Sequence, residues 1–216
     1  MSKKYEIFLF DLDGTITDSA LGITNSVMYA LKKFGIEETD RAKLYKFIGP
    51  PLTESFEKFY GFTKEQSLDG VKYYREYYHD KGIYENRVYD GLEEVLKKIK
   101  EAGKQAIVAT SKPEKYAKII IDHFHLTQYF ACVAGMEMDG GRGTKAQVIT
   151  YALEKNDIAD KSNVLMIGDR EHDVIGAHEN GLDCLGILYG FGSRKEFEEA
   201  GADYIRENVE DILQFV

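Results

Sequence analysis

The sequence predicts an α/β protein built on a parallel sheet, with a helical segment inserted into it. Short apolar runs alternate with segments of helical period along most of the 216 residues, which is typical of a parallel sheet. From about Ile16 to Arg87 this alternation stops, and helical patterns recur without a convincing strand. In addition, several of the predicted strands end in polar residues. These three observations define the expected architecture.

Five apolar runs are the predicted strands, and each is followed by a turn signal or a polar residue. They are Tyr5–Phe10, Gln105–Ala109, Cys132–Ala134, Val164–Ile167 and Asp183–Leu188. Amphipathic segments such as GLEEVLKKIKEAGK lie between them, with the apolar side chains on one helical face. We therefore expect parallel strands joined by helical crossovers.

The stretch between the first two strands is about seventy residues, far more than a crossover requires. We interpret residues 16–87 as a helical cap domain and residues 1–15 and 88–216 as the α/β core. Open α/β sheets bind ligands at the carboxyl ends of their strands. Because the insertion begins at that end of the first strand, we expect it to act as a lid.

Composition excludes several classes of partner. A net charge of −9 argues against broad binding to nucleic acid or to an anionic membrane. The sequence has no apolar stretch near the roughly 18 residues that span a bilayer. Cys132 and Cys184 lie in apolar surroundings and are predicted to be reduced core residues of a cytoplasmic protein. We expect a monomer or a homodimer.

The first strand ends in two aspartates, Asp11 and Asp13, separated only by Leu12. Buried carboxylates are costly unless they are paired, hydrogen-bonded or bound to a metal. Other strand ends supply candidates for the same edge: Thr110 and Ser111, Asp169 with Asp173 four residues later, and Lys145 at the start of a helix. Carboxylates clustered in this way suit Mg²⁺, which typically shares a phosphate. The lysine and the hydroxyls would hold the remaining phosphate oxygens.

This set of residues predicts phosphoryl transfer, which needs chiefly positioning and charge neutralisation. Asp11, at the strand end, is the expected nucleophile, because a carboxylate can attack phosphorus without first losing a proton. Asp13 is the expected general acid toward the leaving oxygen. It would then act as general base for the water that cleaves the aspartyl phosphate.

Four motifs, in order, resemble those of the haloacid dehalogenase-like hydrolases in their phosphatase branch: DLDGT, VATS, Lys145 and IGDREHD. The resemblance implies a Rossmann-like core with a helical cap. It also implies that Asp11, Asp13 (through its backbone carbonyl) and Asp169 bind Mg²⁺, with Asp173 close by. Thr110 and Ser111 would bind phosphate, and Lys145 would neutralise both the phosphate and Asp11. The implied substrate is a small phosphorylated metabolite.

Finer features resemble two subgroups. DSALGITNSVMYAL is similar to phosphoglycolate phosphatases, whereas IGPPLTESF and MDGGRGTKAQVI are similar to 5'-nucleotidase-like members. We favour the second subgroup. In that interpretation the Gly49-Pro50-Pro51 turn is the substrate loop of the cap, and Arg142 contacts an anionic group of the substrate.

Several alternatives remain open from the sequence. A sugar phosphomutase shares the scaffold, and a receiver domain or a silent phosphate-binding module would use similar residues. Each candidate side chain also has a structural interpretation: Asp11 and Asp13 as turn residues, Thr110 and Ser111 as helix caps, and Lys145 as a solvated lysine. Asp169 and Asp173 would then be a helix cap and a first-turn acid. The many aromatic residues of the helical segment are expected to fill its core.

Overall fold

The computed structural model of the protein describes residues 3–138 and 141–216. The chain divides into two compact units, one formed by Met1–Thr17 with Val88–Val216 and the other by Asp18–Arg87. Within the described ranges, no helix is both long enough and apolar enough to cross a membrane.

The first unit is a six-stranded sheet flanked by helices. Its strands are β1 (Ile7–Phe10), β4 (Gln105–Pro113), β5 (Phe130–Met136), β6 (Val164–Gly168), β7 (Asp183–Ile187) and β8 (Tyr204–Arg206). Its helices are α4 (Leu92–Glu101), α5 (Glu114–His123), α6 (Lys145–Lys155), α7 (Glu171–Glu179) and α8 (Arg194–Ala200), with short 3₁₀ helices at Thr127–Tyr129, Lys161–Asn163 and Val209–Phe215. A second sheet pairs β2 (Thr17–Asp18) with β3 (Arg87–Val88).

All five pairings in the large sheet are parallel, and the strand order is β5-β4-β1-β6-β7-β8. Strand β1 is central: Phe10 is paired with Val108 on one side and with Ile167 on the other. Because every strand runs the same way, the residues that follow β1, β4 and β6 emerge at one edge. The predicted α/β class with a parallel sheet is confirmed.

The core of this unit lies on the faces of the sheet. Leu9, Ile107 and Met166 on the strands pack with Val148 on α6 and Val174 on α7, all fully buried. Each such side chain contributes roughly 1.5–3 kcal/mol relative to an exposed one. This packing fixes the strand ends on which the candidate residues are carried.

The structure corrects two details of the predicted strands. Strand β4 continues past Ala109 to Pro113, because it pairs with the longer β5 through Thr110 opposite Gly135 and Pro113 opposite Met136. Strand β8, which was not expected from the sequence, adds to the edge beside β7. Its three residues are too few to give a periodic signal.

The second unit is helical. It contains α1 (Ala20–Lys33), α2 (Leu52–Tyr60) and α3 (Lys64–Tyr77), with a 3₁₀ helix at Arg41–Phe47 and a π-helical turn at Tyr78–Gly82. Phe56 is fully buried, stacks on Phe62 at 5.5 Å between ring centroids and meets Phe47 edge-on at 5.2 Å. These rings form an aromatic core, as expected, whereas Tyr45 and Tyr84 are exposed.

Candidate active site

Asp11 and Asp169 follow neighbouring strands of the sheet. Asp11 comes directly after β1, and its backbone N–H donates to the carbonyl of Ile167 at 2.9 Å. Asp169 comes directly after β6. The register of the two strands therefore brings the two carboxylates to one point of the carboxyl edge, and both are buried.

Glycines allow the backbone to approach these carboxylates closely. Gly14 has a φ of +88°, and a Cβ atom there would lie 2.0 Å from Asp169 Oδ2. At Gly168 a Cβ atom would lie 2.1 Å from the carboxyl carbon of Asp173. A side chain at either position would collide with a site carboxylate, so the glycines of DLDGT and IGD have a steric role.

Lys145 is the first residue of α6, and the helix start fixes its place. Thr144 caps the helix by accepting a hydrogen bond from the Gln147 N–H at 3.2 Å, a capping arrangement that stabilises helix starts. Lys145 Nζ donates to Asp11 Oδ1 at 2.6 Å and to the Ala109 carbonyl at 3.0 Å. It also lies 2.7 Å from Asp173 Oδ1.

Electrostatics in this cluster favours an added cation. Burial, together with the charges of Asp173 and Asp13, raises the pKa of Asp11 to about 6 in spite of Lys145. Burial and the charges of Asp173 and Asp11 also raise the pKa of Asp169. Conversely, although burial alone would lower the pKa of Lys145, the charges of Asp11 and Asp173 hold it above its ordinary value. The carboxylates thus carry repulsion that one lysine does not remove.

The donor set fits a hard divalent cation. Oxygen atoms of Asp11, Asp169 and Asp173 lie within 4.8 Å of one another. Asp169 Oδ2 accepts a hydrogen bond from the Phe191 N–H at 2.8 Å, whereas the buried Oδ1 finds no hydrogen-bond partner among the described residues. A buried carboxylate oxygen without a partner is costly, and coordination of a metal by oxygen ligands would remove that cost.

Asp13 lies in this region but has a different partner. Its Oδ2 accepts from Lys112 Nζ at 2.6 Å, and both side chains are buried. The turn that carries it is tight, because the Leu12 carbonyl accepts from the N–H groups of Thr15, Ile16 and Thr17. If all the aspartates and lysines described here were ionised, four negative and two positive charges would leave a net charge of −2. One Mg²⁺ would neutralise it. The residues are Asp11, Asp13, Asp169, Asp173, Lys112 and Lys145.

The two hydroxyl residues lie in β4. Thr110 is buried, and its Oγ1 accepts from the Lys112 N–H at 3.2 Å; Ser111 is half-buried. Neither caps α5, whose N-terminal flanking residue is Pro113 without a side-chain cap. Thr110 directly follows Ala109, the residue whose carbonyl binds Lys145. The Lys145 ammonium therefore binds the backbone directly before Thr110.

Arg142 has partners away from the aspartates. Its guanidinium donates to Glu137 at 2.6 Å, to Glu114 at 3.2 Å and to the Gly135 carbonyl at 3.1 Å. It also lies over the ring of Tyr151, 3.8 Å from the centroid. These contacts tie the segment before α6 to the start of α5, and the predicted contact with substrate stays a prediction. Residues 139 and 140 of the quoted MDGGRGTKAQVI stretch lie outside the described residues.

A family model described as haloacid dehalogenase-like hydrolase matches residues 8–187. The chain belongs to the haloacid dehalogenase-like hydrolases. The match confirms the family predicted from the four motifs, and the chain is an enzyme of the phosphatase class. The matched segment runs from β1 to β7 and therefore includes every candidate residue. A hydrolase family favours none of the non-enzymatic alternatives.

Individual relatives of this hydrolase agree over nearly its full length. A 5'-nucleotidase of Pseudomonas aeruginosa is 46% identical over 193 residues, which are 89% of this chain and 87% of the relative. The tyrosine-protein kinase PtkA of Mycobacterium tuberculosis is 35% identical over 87% of this chain, but over only 63% of its own length. The crystal structure of a predicted phosphatase from Clostridium acetobutylicum superposes with a TM-score of 0.94 at 48% identity, covering 98% of each chain.

For Lys145 and Asp173, the geometry can be compared with the purely structural roles that the sequence left open. Lys145 is buried and ion-paired rather than solvated. Asp173 does serve the helix start, since its Oδ2 accepts from the Arg170 N–H at 3.1 Å, yet its other oxygen lies beside Lys145. Both roles coexist in this residue.

Sequence reasoning missed Lys112. It stands two residues after Thr110 in the same strand, and alternate residues of a strand share a face. Thr110 and Lys112 are both buried while Ser111 between them is half-buried. The position of a lysine two residues after a predicted phosphate-binding threonine could have indicated that Lys112 lies on the same side of the strand.

Proposed function

We propose that this protein is a Mg²⁺-dependent phosphomonoesterase that hydrolyses a small phosphorylated metabolite through an aspartyl phosphate on Asp11. The observation that supports this most is the buried Asp11 carboxylate, held by Lys145 beside Asp169, whose Oδ1 has no hydrogen-bond partner among the described residues. A nucleophile, a fixed positive charge and a site for a cation then lie at one strand edge.

In this proposal each residue has a defined part. Asp11 attacks phosphorus, and Asp13 protonates the leaving oxygen and later accepts a proton from water. Thr110, Ser111 and Lys145 hold the phosphate oxygens. Asp11, Asp169 and the backbone carbonyl of Asp13 would hold Mg²⁺, with Asp173 nearby. The ion, when bound, would supply neutralisation of charge on the phosphate.

Among substrates, we infer that a nucleoside 5'-monophosphate is favoured and phosphoglycolate is second. The relative at 46% identity is named a 5'-nucleotidase, and phosphoglycolate phosphatases of Vibrio parahaemolyticus and Pseudomonas aeruginosa are more distant, at 22% and 26%. Residues 16–87 are the proposed cap domain that confers specificity, with the Gly49-Pro50-Pro51 turn as its substrate loop.

A screen of phosphorylated metabolites tests the proposal. Nucleoside monophosphates, phosphoglycolate, sugar phosphates and pyrophosphate are incubated with the protein, with Mg²⁺ or with a chelator, and free phosphate is measured. We expect Mg²⁺-dependent release that is fastest from a nucleoside 5'-monophosphate. Release that persists at full rate after chelation would contradict the metal requirement.

The same screen separates the rival activities. Isomerised sugar phosphate without free phosphate would indicate a phosphomutase. Because one relative is named a tyrosine-protein kinase, transfer from ATP to a tyrosine-containing peptide is measured in parallel. A preference for pyrophosphate would exclude the nucleotidase assignment.

A further inference from the structure

The pair formed by Lys112 and Asp13 is a second buried ion pair at the carboxyl edge, separate from that of Lys145. Lys112 Nζ lies 2.6 Å from Asp13 Oδ2, and the two side chains are only 6% and 11% exposed. Lys112 reaches Asp13 from β4, within the short irregularity between Thr110 and Pro113, the two residues that pair with β5 on either side of it. Such a contact holds its carboxylate more firmly than a surface pair does, because less solvent competes with it.

The Asp13 carboxylate is held asymmetrically. Oδ2 is bound by Lys112, whereas Oδ1 is buried and has no hydrogen-bond partner among the residues that the structure describes. Rotation of the carboxylate about its Cβ–Cγ bond would exchange these environments. The lysine contact opposes that rotation and therefore selects which oxygen stays without a hydrogen-bond partner.

Lys112 also links Asp13 to the proposed phosphate-binding strand. The Lys112 N–H donates to Thr110 Oγ1 at 3.2 Å, so one residue contacts Thr110 through its backbone and Asp13 through its side chain. One residue of β4 therefore contacts both the expected acid and the threonine that is proposed to bind phosphate.

We propose that Lys112 is a positioning residue that orients Asp13, so that Oδ1 exchanges the proton with the leaving oxygen. This inference rests on the proposed function. In the first step Asp11 forms a bond to phosphorus, the bond from phosphorus to the ester oxygen breaks, and that oxygen takes a proton from Asp13. In the second step water attacks phosphorus, the bond to Asp11 breaks, and the water proton passes to Asp13.

The leaving group of the first step shows whether Lys112 positions the acid or only supports the structure of the site. An alkoxide leaving group needs the proton, whereas p-nitrophenolate leaves readily without one. The ratio kcat/KM reports the reaction only as far as the first irreversible step, so hydrolysis of the shared aspartyl phosphate does not affect it. A misoriented Asp13 therefore lowers kcat/KM for alkyl esters far more than for p-nitrophenyl phosphate.

The test compares Lys112→Met with wild type on p-nitrophenyl phosphate and on the fastest alkyl phosphate of the screen. We expect kcat/KM to fall about 100-fold or more for the alkyl ester, the range of general acid catalysis, and less than about fivefold for the aryl ester. Lys112→Arg, which keeps the charge and the donor, should recover part of the alkyl activity.

Lys118→Met is the matched control, because Lys118 is an exposed lysine near the same segment, paired with Glu114. Lys118→Met should leave kcat/KM unchanged for both the alkyl ester and p-nitrophenyl phosphate. If Lys112→Met does not fold by circular dichroism, Lys112→Gln takes its place. Because Gln keeps a hydrogen-bond donor but no charge, its kcat/KM for the alkyl ester should lie between those of wild type and of full removal of the contact, again with a smaller change for the aryl ester.

Equal losses on the two esters, or no loss on either, would overturn the inference, since a merely structural lysine affects both substrates alike. Failure of the proposed function looks different: the wild-type protein would then release no phosphate from either ester.

Discussion

Each edge of the large sheet carries a pair of aspartate and lysine, and burial gives the two pairs opposite properties. At the amino edge Lys3 lies 2.8 Å from Asp183, with side chains 45% and 33% exposed. At the carboxyl edge Lys145 lies 2.6 Å from Asp11, with side chains 5% and 11% exposed. The distances are similar, but the surroundings are not.

The pKa values of the two aspartates diverge. Burial tends to raise the pKa of Asp183, but hydrogen bonds from Lys3 and Tyr5 outweigh it and leave that pKa below its ordinary value. Asp11 has a closer lysine, yet burial and two further carboxylates raise its pKa to about 6. An ion pair that satisfies a carboxylate at the surface is insufficient within a buried acidic cluster. The ion pair at the amino edge satisfies its carboxylate, whereas the carboxylates at the carboxyl edge keep a mutual repulsion that an added cation would reduce.

The largest effect expected from this comparison is on catalysis. Asp11→Asn should lower the kcat for phosphate release by about 1,000-fold or more, because the amide is a far poorer nucleophile. Asp183→Asn, the same change at the amino edge, should leave kcat within about twofold. Both are measured at saturating Mg²⁺, with circular dichroism as the check on folding. Near-normal hydrolysis by pure Asp11→Asn would show that another group attacks phosphorus.

A smaller effect is expected on stability, and its sign depends on the metal. The raised pKa of Asp169 means that burial and the charges of Asp173 and Asp11 destabilise its ionised form in the folded protein relative to the unfolded chain. In a chelator, Asp169→Asn should therefore increase the free energy of unfolding, by roughly 0.5–2 kcal/mol, as substitutions that relieve a strained functional site do. The measurement is denaturant unfolding at pH 7.

Addition of Mg²⁺ should reverse that order. Wild type should gain about 2.7 kcal/mol at a concentration 100-fold above its Kd, and Asp169→Asn should gain much less because it lacks one ligand. Asp183→Asn should respond to Mg²⁺ as wild type does. A variant at Asp169 that loses stability in the chelator would mean that its carboxylate is already satisfied without metal.

Much of this site could be predicted from sequence because the chemistry depends on strand ends. Buried strands are recognisable as apolar runs, and in a parallel sheet their carboxyl ends share an edge. Asp11, Asp169 and Lys145 could therefore be brought together before any distance was known. The glycines at 14 and 168 lie within the same motifs, so a single pattern carries both the acids and the close approach that they need.

Side-chain contacts that depend on tertiary packing could not be predicted from the sequence. Arg142 pairs with Glu114 and Glu137 and lies on Tyr151, a set drawn from three parts of the chain. Nothing local in the sequence separates this arrangement from an arginine that reaches a substrate. The predicted strand ended at Ala109 and therefore did not include Lys112, whereas pairing with β5 extends β4 to Pro113.

The smallest expected effect concerns the amino edge and its dependence on pH. A carboxylate whose folded pKa is depressed stabilises the fold above its unfolded pKa, here 3.8. That stabilisation is lost as the pH falls through the lower folded value. Asp183→Asn should thus cost about 0.2–1 kcal/mol at pH 7, the range of partly exposed pairs, and the cost should shrink below about pH 4. Urea unfolding of both proteins from pH 7 to pH 3 measures it, with Lys3→Met as the matched removal of the partner. A cost that grows on acidification would mean that Asp183, like Asp11, has a raised pKa, and the contrast between the two edges would disappear.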